Sequence, residues 1–125
     1  MDAYAAYKRL PQELRQSLEG RRMIHGEGVT HPMVRTHPVT GRKALYLDLM
    51  VYRSQIEGVG SREKEALIRE LIAHVERSEV IYRHVWREED LLVWDNAAVL
   101  HRGTEVPPGQ PRLLHRVTVC GTVPA

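Results

Sequence analysis

Trp94-Asp95-Asn96-Ala97-Ala98-Val99-Leu100-His101-Arg102-Gly103 is the stretch on which the reading of this chain turns. The turn-forming pair Asp95-Asn96 separates the apolar run Leu91 to Trp94 from Ala97 to His101, so the pattern predicts two short strands joined tightly. Gly103 then opens a polar, proline-containing loop that runs to Pro111. Beyond it, Arg112 to Cys120 alternates as a strand does. Arg112, Leu114, Arg116, Thr118 and Cys120 share one face, and Leu113, His115, Val117 and Val119 share the other. A histidine at a strand end is therefore followed, 11 and 15 residues later, by two arginines on one face of the next strand.

Those residue types carry a definite chemistry. Imidazole is a common metal ligand, and guanidinium is the side chain best shaped to grip a carboxylate with two parallel hydrogen bonds. Arg112 and Arg116 are about 13 Å apart along an extended chain at ~3.3 Å per residue, so they do not hold one carboxylate symmetrically. One can anchor a cosubstrate while the other faces an acidic substrate or the iron end of the site. One metal ligand with one carboxylate clamp is half of a non-haem iron, 2-oxoglutarate-dependent oxygenase site, whose other half is a His-x-Asp pair. No His-x-Asp occurs in these 125 residues.

Each residue also has a plainer reading. Arginines alternating along a strand usually face solvent, and a histidine near a strand end is usually an ordinary surface or core residue. His31 and His37 precede Pro32 and Pro38 and suggest a metal loop, but their spacing is no standard zinc pattern. His25-Gly26-Glu27 has the His-x-carboxylate form, yet it sits in a glycine-rich loop ahead of the strands.

Composition narrows the class. A chain of 125 residues is one domain or part of one, and a domain of that size buries roughly two-thirds of its unfolded surface. Hydrophobic content of 42% and charged content of 27% suit a soluble globular protein. The net charge of +2, with basic and acidic residues interleaved, argues against nucleic acid. Cys120 has no partner for an internal disulfide; it reads as a buried thiol in a reducing cytoplasm. The start Met1-Asp2-Ala3-Tyr4 is acidic and lacks the apolar run of a leader, and no stretch approaches the ~18 apolar residues of a membrane span.

Along the chain, Tyr4, Tyr7, Leu10, Leu14 and Leu18 recur at helical spacing up to Gly20, with Pro11 suggesting two short helices. Residues 25–42 show no steady period and read as irregular, with at most short extended pieces. Ala44 to Val51 is a strand candidate. Ser61 is a plausible cap for a helix from Arg62 to about Arg77, whose apolar face is Leu67, Ile68, Leu71, Ile72 and Val75. Val80 to Trp86, Leu91 to Trp94, Ala97 to His101 and Arg112 to Cys120 follow as strands. Short strands with tight turns after one helix suit a jelly roll, with fewer strands than the eight of a complete one.

Taken in order, these segments resemble the C-terminal half of the taurine dioxygenase and 2,4-dichlorophenoxyacetate dioxygenase (TauD/TfdA) family. His31-Pro32-Met33-Val34-Arg35-Thr36-His37-Pro38, leading into Gly41-Arg42-Lys43-Ala44-Leu45-Tyr46, is similar to the family's central segment. Tyr82-Arg83-His84-Val85-Trp86-Arg87, the Trp94-Asp95-Asn96 motif ending in His101, and Arg112-Leu113-Leu114-His115-Arg116-Val117-Thr118-Val119 match its later segments in order.

The resemblance implies a mainly β fold with flanking helices, a partial double-stranded β-helix (jelly roll) of the clavaminate synthase-like kind. It implies one apparently incomplete domain over residues 1–125. It makes His101 an iron ligand, Arg112 the residue that binds the distal carboxylate of 2-oxoglutarate, and Arg116 a substrate-binding arginine. Trp94, Asp95 and Asn96 take a structural role. Fe(II) and 2-oxoglutarate are the implied cofactor and cosubstrate, and the reaction is hydroxylation of a small acidic compound such as a sulfonate or aryloxyalkanoate. His101-Arg102-Gly103 leans toward the phenoxyacetate branch. The family's His-x-Asp pair and its cosubstrate-contacting threonine belong to the half this chain does not contain. The competing expectation is a non-catalytic fragment or pseudoenzyme that binds small carboxylates or needs a partner chain. Expected partners are a small anionic substrate and a second copy of the chain, with neither nucleic acid nor membrane.

Overall fold

The computed structural model describes residues 1–25, 28–76, 81–119 and 121. Its order is α1 (Ala3–Lys8), α2 (Gln12–Leu18), β1 (Arg22–Ile24), β2 (Thr30–Pro32), β3 (Val34–Thr36), β4 (Lys43–Leu45), β5 (Gln55–Ile56) and α3 (Ser61–Glu76).

The N-terminal amphipathic stretch is two helices. Asp2 caps α1 by accepting from the backbone N–H groups of Tyr4 (2.8 Å) and Ala5 (3.1 Å), a cap worth about 1 kcal/mol. Pro11 disfavours helical geometry in the residue before it, so α1 stops, and α2 starts directly after the proline ring. Gly20, at φ 74°, then turns the chain into β1. In α3 the apolar face expected from spacing is the buried one: Ile68, Leu71 and Val75 face inward. Ser61 does not cap this helix. The carbonyl of Gly60 accepts the first helical hydrogen bond, from Lys64 N–H at 2.9 Å, so Gly60 holds the cap position and Ser61 is already helical.

The segment that lacked a period contains two short strands, β2 and β3. β1 is the centre of an antiparallel sheet ordered β2-β1-β5, with Met23 opposite His31 and Ile56. β3 and β4 form a second antiparallel pair, with Arg35 opposite Ala44. Tyr46 N–H donates to Met33 O at 2.9 Å, continuing the chain past β4 alongside the link between β2 and β3. The candidate strand Ala44 to Val51 is thus ladder only as far as Leu45. The core is Leu10, Leu14, Leu18, Met23, Met33, Leu45, Leu47, Ile56, Ile68 and Leu71, enclosed between the helices and the two sheets, with α1 lying on β4.

The later strand expectations are corrected. Residues 81–86, 91–94 and 112–119 form no ladder, and 97–101 is a turn with one antiparallel bridge, Val99 to Asp2. Val80 and Cys120, at the ends of two of those segments, lie outside the described residues. The physical reason is that a strand, unlike a helix, has no hydrogen bonds of its own and exists only beside a neighbour. Among the described residues these segments meet no strand. Their alternating side chains are accordingly open: Val85 is 80% exposed, Leu91 88%, Leu113 81% and Val117 90%.

Candidate functional site

The turn that carries His101 is fastened on two sides. On one side it is sewn to the start of α1: Ala3 N–H donates to Ala98 O (2.9 Å), Leu100 N–H donates to Met1 O (3.1 Å), and Val99 bridges Asp2. On the other side it is held by Asp95, whose Oδ2 lies 2.8 Å from His37 Nε2. His37 follows β3, and its ring is nearly buried. Its Nδ1 accepts from the N–H groups of Val39 (3.2 Å) and Thr40 (3.1 Å), which places the ring's proton on Nε2, facing Asp95. Asp95 Oδ1 accepts from Ala97 N–H at 2.7 Å, and the carbonyl of Asp95 accepts from Ala98 and Val99. The bond from His37, then that from Ala97, holds the Asp95 carboxyl below the usual carboxylate range.

The two most distinctive motifs therefore interlock through one side-chain pair. His37 was weighed from sequence only as a loop or metal histidine; its function in the structure is to hold Asp95. The signal that could have found it was the repeated His-Pro, which places a second histidine just beyond an arginine-bearing strand. Trp94 and Asn96 close the turn from within, with indole Nε1 donating to Asn96 Oδ1 at 2.8 Å. Arg102 reaches α3, donating to Glu76 at 2.7 Å.

The predicted site residues meet around this turn. The His101 ring centroid is 5.0 Å from that of Trp94, and the Arg116 guanidinium lies 5.8 Å from the Trp94 ring. The Arg112 guanidinium reaches Gly103, with Nη1 4.0 Å from where a β-carbon would stand, an ordinary van der Waals separation. His101 is exposed at its outer edge, but loss of water on its shielded side, followed by the charge of Arg116, pushes its imidazole below the ordinary value. It is thus biased toward the neutral form that a metal ligand needs. Both arginines are exposed, and among the described residues no flanking sheets enclose them, so the cluster is open to solvent.

The donor set for a metal is incomplete. Among the described residues no three of histidine, cysteine, aspartate or glutamate are arranged to hold an ion. His25 and His31 pack on each other and on Tyr46. His74-Val75-Glu76, also a His-x-carboxylate sequence, is structural: His74 bonds Ala6 O at 3.0 Å, and Glu76 takes Arg102. His101 alone does not fit ferrous iron, which is retained by three protein ligands in this class of site.

Known proteins match along this whole arrangement. The model of the family described as taurine catabolism dioxygenase TauD, TfdA family matches residues 1–118. The alpha-ketoglutarate-dependent 2,4-dichlorophenoxyacetate dioxygenase of Cupriavidus pinatubonensis is 36% identical over 94% of this chain and 47% of its own length. The alpha-ketoglutarate-dependent sulfate ester dioxygenase of Pseudomonas putida is 39% identical over 75% of this chain and 31% of its own. Among solved structures, AAD-2 in complex with Mn(II) and N-oxalylglycine aligns with TM-score 0.70 at 29% identity, over 78% of this chain and 46% of that one. A taurine dioxygenase from Burkholderia xenovorans aligns with TM-score 0.61 at 33% identity, over 78% of this chain and 36% of that one.

In fold and motif order the chain is similar to part of these jelly-roll proteins. The chain belongs to the TauD/TfdA family. It spans about half the length of the first curated relatives it matches.

Proposed function

We propose that residues 1–125 are the portion of an Fe(II)- and 2-oxoglutarate-dependent dioxygenase domain that carries one iron ligand and the anion-binding arginines. In this reading His101 supplies the ligand, Arg112 binds the distal carboxylate of 2-oxoglutarate, and Arg116 faces a small anionic substrate. The observation that carries it is the convergence of His101, Trp94 and Arg116, with Arg112 beside Gly103, in a family whose named relatives are alpha-ketoglutarate-dependent. A sulfonate, sulfate ester or aryloxyalkanoate is the substrate class supported by those relatives.

The chain's own contributions follow from its chemistry. His101 offers a neutral nitrogen held by the Asp95 turn. Arg112 offers a planar fork that matches a carboxylate, and Arg116 offers positive charge on the Trp94 side. When bound, ferrous iron with 2-oxoglutarate supplies the oxidising chemistry, in which oxygen is consumed, 2-oxoglutarate becomes succinate and carbon dioxide, and a substrate C–H is hydroxylated. The remaining metal ligands are not among the described residues, so iron binding belongs to the complete domain.

The second reading is a non-catalytic carboxylate binder, favoured by the absence of a His-x-Asp pair from the sequence. A cytoplasmic location accords with the single cysteine; among the described residues no helix is long and apolar enough to cross a membrane. Self-association accords with the open apolar segments beyond α3.

Steady-state kinetics of the complete domain test these roles. Loss of one charge-assisted carboxylate grip, about 1.5–3 kcal/mol, corresponds to roughly a 10- to 100-fold weakening. Arg112→Gln should raise the KM for 2-oxoglutarate by that factor, and Arg116→Gln the KM for the substrate. Equal effects of both variants on both constants would contradict the division of roles.

A further inference from the structure

The four methionines of this chain stand in unequal surroundings. Met23 and Met33 are fully buried, and Met23 Sδ accepts from Asp48 N–H at 3.2 Å. Met1 is half-buried against the core. Met50 is 57% exposed, and its Sδ stands 3.8 Å from Nη1 of Arg53, itself at the surface. A thioether is a weak acceptor, so this contact holds the two side chains loosely.

The main chain beneath them is firmly bonded. Met50 N–H donates to Asp48 Oδ1 at 2.9 Å. The carbonyl of Met50 accepts from Arg53 N–H (3.0 Å), Ser54 N–H (3.1 Å) and Ser54 Oγ (2.7 Å). Lys64, from α3, donates to Val51 O at 2.9 Å. Ser54 is fully buried and β5 follows it directly, so this turn sets where β5 enters beside β1. An exposed sulfur and a guanidinium are thus held side by side on a fixed turn.

We propose that Met50 is a site of reversible oxidation by hydrogen peroxide, and that Arg53 captures the sulfoxide and tightens the turn into β5. The sulfur lone pair attacks one peroxide oxygen. The O–O bond breaks, an S–O bond forms, and the departing hydroxide takes the proton of the transferred hydroxyl to leave as water. Sulfur gives up an electron pair, and the peroxide is reduced. The new oxygen stands on the atom that already faces the guanidinium, so a weak N–H···S contact becomes a charge-assisted N–H···O bond. A sulfoxide reductase reverses the change. The buried sulfurs of Met23 and Met33 are closed to the same oxidant.

Hydrogen peroxide treatment of the 125-residue chain, followed by peptide mass mapping and amide exchange, tests the site. Met50 should take up an oxygen atom before Met1, Met23 or Met33 does. Exchange of the amides at 53 and 54, which both donate to Met50 O, should then slow about two- to fivefold, the size of a solvent-screened charged contact. Methionine sulfoxide reductase should restore the original exchange. Met50→Leu should show no slowing under peroxide. Arg53→Gln should still be oxidised at Met50 but show no slowing, and Arg53→Lys, which keeps a charged donor, should show part of it. The proposal is overturned if another methionine reacts first, if oxidation leaves exchange at 53 and 54 unchanged or faster, or if oxidised Arg53→Gln slows as much as the oxidised wild type.

Discussion

Removal of the Asp95 side chain should loosen the turn that carries His101 and destabilise the chain by about 2 kcal/mol at neutral pH. Asp95→Ala deletes two acceptors at once: the bond to His37 Nε2 at 2.8 Å and the bond to Ala97 N–H at 2.7 Å. The His37 side chain is only 8% exposed, so its N–H loses its partner with little water to replace it, at a cost of about 1–3 kcal/mol. Asp95 itself is 55% exposed, so the ionic share of the pair is screened to about 1 kcal/mol or less. Asp95→Asn keeps the shape and an acceptor, and should cost about 0.5–1 kcal/mol.

The pH dependence separates charge from shape. The folded-state pKa of Asp95 is depressed, first by the bond from His37 and next by that from Ala97. Its charge therefore stabilises the fold fully above the unfolded carboxylate value, near ~4, and loses that effect as pH falls through the folded value. Urea unfolding followed by circular dichroism should show a gap between wild type and Asp95→Asn at pH 7 that closes in acid. The His101 ring resonance should move in both variants. An Asp95→Ala midpoint equal to that of wild type, or a gap to Asp95→Asn that stays constant into acid, would refute the reasoning.

Other expected outcomes concern the core, the histidines and the open segments. Ile68→Ala, at a fully buried position of α3, should cost about 2–5 kcal/mol in the same unfolding measurement. His25, His31 and His101 all have lowered folded-state pKa values, with burial the first cause in each. The unfolded chain thus binds more protons in mild acid, and stability should fall as pH drops below the ordinary histidine value of ~6.5, which chemical denaturation between pH 8 and 5 will read. The exposed apolar side chains beyond α3 should drive association, seen as concentration-dependent mass in sedimentation; a compact, cooperatively melting monomer would count against a half-domain.

What was legible in the sequence was what is local. The face of α3 followed from the spacing of Ile68, Leu71 and Val75, and the break between α1 and α2 followed from Pro11. The interlock of His37 with Asp95 was not legible, because the partners stand 58 residues apart and no periodicity links them. The strands β2 and β3 were legible only as unplaced short extended pieces, because three-residue ladders are too short for alternation to show. Conversely, Arg112 to Val119 alternates clearly and forms no ladder, since alternation states which face would be buried and does not supply the neighbouring strand. The meeting of His101 with Arg116 and of Gly103 with Arg112 was readable only as motif order; Trp94, the ring between two of them, had been read as the end of a strand.

Succinate formation tests the central claim most directly. The 125-residue chain, supplied with ferrous iron, ascorbate and 2-oxoglutarate, should give no substrate-stimulated succinate, because one imidazole does not retain the metal. Arg112 alone would hold 2-oxoglutarate by a solvated ion pair worth about 1 kcal/mol or less. Joined to an upstream segment that carries the His-x-Asp pair, the chain should turn over, and His101→Ala should abolish that turnover. Turnover by the chain alone, or turnover by the joined protein that survives His101→Ala, would contradict the account.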